Sequence, residues 1–177
     1  AGYYYIREAY KEYIAKIKKL TPRLILIGHL KENIINKAGK EVTAIVELRA
    51  RFDEEQNVAL AERLQRFGIH VIYGVVGFKT HAKMLLIARR EEGKLRYYVH
   101  MGTGNYHPKT SKLYTDYGLM TSDKEIGDDV YRIFLQLSSM GKASKMDALL
   151  YAPFTLHKGI VRRIRTEKEN AEHGKPA

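Results

Sequence analysis

GVVGFKTHAKMLLIARREEGKLRYYVHMGTGN, residues 74–105, holds two apolar runs joined by a polar turn and followed by a glycine-rich bend. The first run, Met84 to Ala88, is entered through Lys79-Thr80-His81-Ala82-Lys83. Side chains on a strand alternate with period two, so His81 and Lys83 are expected on one face. That pairing sets a nucleophile beside a fixed cation. Arg89 to Lys94 reads as a polar turn leading into Leu95 to Met101, so the two runs predict an antiparallel hairpin. Met101-Gly102-Thr103-Gly104-Asn105 begins 18 residues after Lys83. Such a bend can bring backbone N–H groups and an amide side chain close to an anion.

Upstream, Val42 to Leu48 is rich in β-branched residues and apolar on both faces, as expected of a parallel strand covered on both sides. Asp53 is a good N-cap for a helix from Glu54 to Phe67, Gly68 ends it, and Ile69 to Val76 returns as a strand. Leu24 to Ile27 is a shorter strand, followed by a helix over His29–Lys37 that closes at Gly39. Two consecutive strand-helix-strand units predict a parallel sheet, with ligands at the carboxyl ends of its strands. Residues 1–20 place Ile6, Tyr10, Tyr13, Ile14 and Ile17 at helical spacing, and Thr21-Pro22 breaks that helix. Downstream, Tyr114 to Met120 reads as a further strand and Ser122 or Asp123 caps a helix to Leu137. A small, polar loop covers Ser138–Lys145. Leu156 to Glu172 is helical, with Arg162, Arg163 and Arg165 clustered.

The 177 residues suffice for one domain with a real core, and a piece of a longer protein would read the same way. With no cysteine, neither disulfides nor thiolate-bound zinc holds the chain together. No signal peptide and no run of about 18 apolar residues is recognised, so a soluble, cytoplasmic protein without a membrane span is expected. Lys and Arg number 31 against 20 acids, a formal charge of +11. Such a charge points to a polyanionic partner, either nucleic acid or a phosphate polymer or nucleotide.

Among residues able to carry chemistry, His81 offers a neutral imidazole near pH 7 that can attack phosphorus and split one transfer into two easier steps. Lys83 would offset charge on the transferring oxygens of a loose transition state. Arg49 and Arg51 follow the end of the Val42–Leu48 strand, where a guanidinium fork can grip phosphate bidentately. Asn105 either orients phosphate or imidazole or serves its turn through tolerance of left-handed geometry. Tyr114 and Asp116 are expected to share a strand face, Tyr114 for stacking on a base and Asp116 for orienting a histidine or meeting a lysine. Glu54 and Glu55 are better explained by the attraction of helix starts for acids than by metal ligation. The remaining histidines show no metal-ligand pairing and are read as structural.

Four runs carry a resemblance to one family: VTAIVELRARFDEEQNV, GIHVIYGVVGFKTHAKMLLIARR, YVHMGTGNYHPKTSKLYTDYGLMTSD and the basic stretch HKGIVRRI. They closely resemble the first of the two C-terminal domains of the bacterial polyphosphate kinases of the first class, a family similar in fold to phospholipase D. The resemblance implies an α/β fold with a mixed, largely parallel sheet flanked by helices. It divides the chain into residues 1–33, an N-terminal helix and unmatched segment, and residues 34–177, the phospholipase D-like catalytic domain. The T-L-Y-R run of the family has no counterpart in LTPRLILIGHL.

By the same resemblance, the activity is reversible transfer of the ATP γ-phosphate to polyphosphate with Mg2+. His81 is the phosphohistidine, Lys83 and Asn105 are its phosphate-binding companions, and Tyr114 is a nucleotide-binding tyrosine. Arg51 matches an arginine of the family's phosphate and magnesium site. The partners implied are ATP or ADP, polyphosphate, the remaining domains of a full-length kinase and further copies in a homo-oligomer, with nucleic acid not expected. Two rival readings are a binding half-site for polyphosphate or nucleic acid without turnover, and a phospholipase D-type phosphodiesterase. The second is weakened because H-x-K-x4-D would need an acid where Ala88 stands.

Overall fold

A computed structural model describes residues 23–27, 41–47, 54–74, 79–107, 110–138 and 145–175. The expected helices over residues 1–20 and 29–37, and Arg49, Arg51 and Asp53, lie outside the described residues. The described elements are β1 (Arg23–Ile27), β2 (Glu41–Val46), α1 (Glu54–Arg66), β3 (His70–Tyr73), β4 (Met84–Glu91), β5 (Lys94–Gly102), β6 (Gly118–Thr121), α2 (Lys124–Leu137) and α3 (Leu156–Glu172). The strands form one sheet in the order β3-β2-β1-β4-β5-β6.

β1 pairs in parallel with β2, and β2 with β3, whereas β1–β4, β4–β5 and β5–β6 are antiparallel. The expected mixed α/β architecture is therefore present. β1, β2, β3 and β5 all point the same way, but with β4 inserted between β1 and β5 and β6 added beyond, three pairings are antiparallel and two parallel, so the sheet is less parallel than expected. The hairpin pairs Glu91 with Lys94 across Glu92 and Gly93. Both turn residues have positive φ, 50° and 78°. Two left-handed residues match the right-handed twist of the flanking strands, and glycine takes that conformation without strain.

Alternation along β2 distributes the core. Val42, Ala44 and Val46 pack with Ala61 and Leu64 of α1 and with Ile69 and Val71. Ile45, on the opposite side, joins Met84, Leu86 and Val99 beneath Val130, Ile133 and Phe134 of α2. Among the described residues, α1 thus covers one face of the sheet and α2 the other. α1 carries Glu54 and Glu55 in its first turn and Arg63 and Arg66 in its last, which complements the helix dipole. Asp123, rather than Ser122, caps α2: its Oδ1 accepts the Ile126 N–H at 2.9 Å. β4 is one of the two middle strands, and Met84 to Ala88 are all buried.

Two strand expectations shift. The run at Tyr114–Met120 becomes a strand only from Gly118, since Thr110–Lys112 forms a 3-10 turn. β4 begins at Met84, so His81 and Lys83 occupy the segment leading into the strand rather than the strand itself. No helix among the described residues is long and apolar enough to cross a membrane.

Candidate active site

The ends of β1, β2, β3 and β5 and the starts of β4 and β6 share one edge of the sheet: Ile27 lies opposite Met84, Met84 opposite Met101, and Gly102 opposite Gly118. Between β3 and β4 the chain must cross the ends of β2 and β1, and it carries His81 along that edge. Lys83 lies just before β4 and is 6% exposed. Its Nζ sits 3.0 Å from both ring nitrogens of His81 and donates to the His81 carbonyl at 2.7 Å. An ammonium has no lone pair, so the ring nitrogen that faces it as a hydrogen-bond acceptor is the unprotonated one. Burial pushes Lys83 below its ordinary pKa of 10.5, and the charge of Asp116 partly offsets this. A cation stripped of water in this way interacts more strongly with an arriving anion.

The glycine-rich bend is fastened directly to this pair. The Gly102 N–H donates to the Lys83 carbonyl at 3.0 Å. Thr103 then closes the bend onto the strand that follows. Its N–H donates to the Tyr117 carbonyl at 3.0 Å, and its hydroxyl accepts from the Tyr117 N–H at 2.9 Å. The same hydroxyl donates to Asp116 Oδ1 at 3.1 Å. Asp116 is packed so tightly against Gly104 that a Cβ there would fall 2.0 Å from its Oδ2, so any larger residue would displace the carboxylate. The bend ends on a half-buried support. The Tyr106 hydroxyl meets His100 Nδ1 at 2.6 Å, and burial pushes His100 below its ordinary pKa of 6.5.

Of the residues expected at the site, His81 and Lys83 are in direct contact, with His81 exposed above a buried Lys83. Asn105 lies half-buried in the bend anchored to Lys83, and its carbonyl accepts from the His107 N–H at 2.7 Å. Tyr114 is 63% exposed in the loop before β6, and Asp116 points into the Gly104 bend. The two therefore do not share a strand face as expected, because the strand starts beyond both. Arg51 falls outside the described residues.

Sequence reading missed two contributors, Thr103 and Glu47. The carboxylate of Glu47, which follows β2, accepts the Thr80 N–H at 2.7 Å, immediately before His81. A lone acid at the end of the apolar run VTAIV was the available signal. Among the described residues no three His, Cys, Asp or Glu side chains converge as a metal site. These residues do not fit a protein-held Mg2+, and a guanidinium such as that of Arg51 has no lone pair to ligate one. Magnesium carried by the phosphates of a nucleotide needs no such set of protein ligands.

Comparison with known proteins identifies the family of the chain. The family model for polyphosphate kinase C-terminal domain 1 matches residues 8–143, reaching back into the segment left unmatched by motif. A polyphosphate kinase of Xylella fastidiosa is 58% identical over 141 residues, 80% of this chain and 20% of that protein. One from Pseudomonas aeruginosa is 59% identical over 139 residues, 78% of this chain and 20% of that protein. The crystal structure of polyphosphate kinase from Porphyromonas gingivalis superposes with a TM-score of 0.70 at 32% identity, covering 86% of this chain and 27% of that one. The chain thus spans about a fifth of the length of the curated relatives it matches. A family match over most of the chain, relatives more than half identical over about four-fifths of it and a shared fold lead to one conclusion: the chain belongs to the polyphosphate kinase C-terminal domain 1 family.

Proposed function

We propose that residues 34–177 form a phosphotransfer domain of a longer kinase, moving the γ-phosphate of ATP reversibly onto polyphosphate through a phosphohistidine at His81. The observation that carries this reading is the exposed His81 imidazole lying over the buried Lys83 ammonium, 3.0 Å from both ring nitrogens. In the first step the unprotonated imidazole nitrogen gives up its hydrogen bond from Lys83, which turns to the phosphoryl oxygens, and its lone pair attacks the γ-phosphorus. An N–P bond forms, the bridging P–O bond to the β-phosphate breaks, and its electron pair leaves with ADP. In the second step a terminal oxygen of polyphosphate attacks the same phosphorus, and the N–P electron pair returns to the ring.

Lys83 holds the charge that spreads over the transferring oxygens, where most of the stabilisation of such a transition state lies. The Gly102–Asn105 bend, whose Gly102 and Thr103 N–H groups are committed to Lys83 and Tyr117, offers those oxygens the Asn105 amide, and Arg51 grips them by a fork of two donors. Tyr114, exposed at the same end of β6, stacks on the nucleotide base. The 31 Lys and Arg residues supply a field that favours a polyanionic chain along the surface.

The test is to incubate the purified chain with γ-labelled ATP and magnesium. Label that survives alkali, is lost in acid and disappears in His81→Ala is the expected result. Absence of label, with nucleotide or polyphosphate still bound, would make the chain a binding half-site whose chemistry needs a further domain.

A further inference from the structure

The connection from β3 to β4 spans three strand positions, since the order is β3-β2-β1-β4. At about 4.8 Å per strand this is a crossing of about 14 Å along the carboxyl edge. His81 rides on that crossing and not on a strand, so something other than a sheet ladder must fix its height and direction. Glu47 stands at the end of β2, under the path. Its Oε2 accepts the Thr80 N–H at 2.7 Å, one residue before His81. Its carbonyl accepts from Asn57 Nδ2 at 2.9 Å, and Asn57 is a buried residue of α1. The carboxylate is also confined by the residue after β3, because a Cβ on Gly74 would lie 3.2 Å from Oε2. Helix α1, strand β2, the residue after β3 and the crossing segment therefore meet at one residue, α1 through its backbone carbonyl and the crossing segment through its carboxylate.

We infer that Glu47 is a positioning residue for His81: it pins the crossing segment at Thr80 so that the imidazole rests over Lys83 in line with an incoming phosphoryl group. This rests on His81 being the residue that accepts the phosphoryl group. The carboxylate acts through a backbone amide and does not touch substrate. An amide oxygen of the same reach replaces it, and a methyl does not.

Rates of labelling by γ-labelled ATP are compared in the full chain for the unchanged protein, Glu47→Ala and Glu47→Gln, alongside hydrogen exchange at the Thr80 amide. Orientation errors of the order of an ångström cost about 100-fold in rate, so Glu47→Ala is expected to lower the maximal rate of labelling by about that factor. The KM for ATP should stay within about twofold, because the lost interaction is not a binding contact. Glu47→Gln should recover the rate to within about fivefold, since the acceptor remains although its charge is gone.

Thr80 should lose protection in Glu47→Ala and keep it in Glu47→Gln, with β4 amides unchanged in both. Equal rates in all three proteins would overturn the inference, as would a joint loss of KM, β4 protection and rate that Gln does not repair. Should the unchanged protein take no label, the phosphohistidine reading fails separately. The pinning of the segment is then judged on Thr80 protection and on the rate at which diethyl pyrocarbonate modifies His81. A change in both with Ala and in neither with Gln supports it, and no change with Ala refutes it.

Discussion

Lys83 is a charge that folding would be better without. With its folded pKa below 10.5, the unfolded chain binds the proton more tightly, so stability due to this group rises as pH climbs through the lowered value toward 10.5. At neutral pH the buried ammonium opposes folding. Lys83→Met is therefore expected to leave the melting temperature unchanged or higher while labelling of His81 falls by about 100-fold or more; calorimetry and the labelling assay check the two halves. Gly104 presents the converse case. Gly104→Ala would press a methyl into Asp116 and open the Thr103 bend, at a cost of about 1–3 kcal/mol and with loss of labelling. An unaltered melting curve with full labelling would show that the bend gives way freely. The His81–Lys83 pair was legible from alternation alone, since neighbours two apart in extended chain meet whether or not a ladder forms. The Asp116 contact was not. An extended loop and a strand alternate alike, and only the partner 12 residues upstream at Gly104 decides where the side chain points.

At the scale of elements, the Asp129 carboxylate of α2 gathers the backbone of the segment preceding α3. Asp129 is fully buried and accepts from the backbone N–H groups of Asp147, Ala148 and Leu149 at 2.8–3.1 Å and from Arg132 at 2.7 Å. Burial alone would push its carboxyl up, but the three backbone donors and Arg132 outweigh it and hold the group below its ordinary value of 3.8. Its contribution to stability is present above 3.8 and is lost as pH falls through the lower folded value. Asp129→Asn is expected to destabilise by about 3 kcal/mol at neutral pH, and the gap to the unchanged protein should narrow below pH 3.8 in acid titrations of unfolding. Helices α1, α2 and α3 and the hairpin were visible in the sequence because caps, glycines and periodicity are local signals. The crossing from β3 to β4 was invisible, because strand order is settled by contacts between distant residues. Glu47 at the end of an apolar run then reads as an ordinary surface acid.

For the whole molecule, the formal charge of +11 should dominate its affinity for polyphosphate. If about four phosphates are neutralised, affinity falls with a log–log slope of about −3 in salt, roughly sixtyfold between about 50 and about 200 mM. A titration series that stays flat would assign binding to a few short-range contacts at His81 and Lys83 instead. The sheet also has a second edge, which no step above uses. The two-residue turn at Glu92 and Gly93 closes β4 and β5 there, about 27 Å of strand away from Lys83. Because the chain contains no cysteine, Lys94→Cys would introduce the sole thiol, at an exposed position on that turn. A dye coupled there would report tumbling and docking of the domain without approaching the nucleophile, so this remote turn is the natural handle for following assembly by fluorescence.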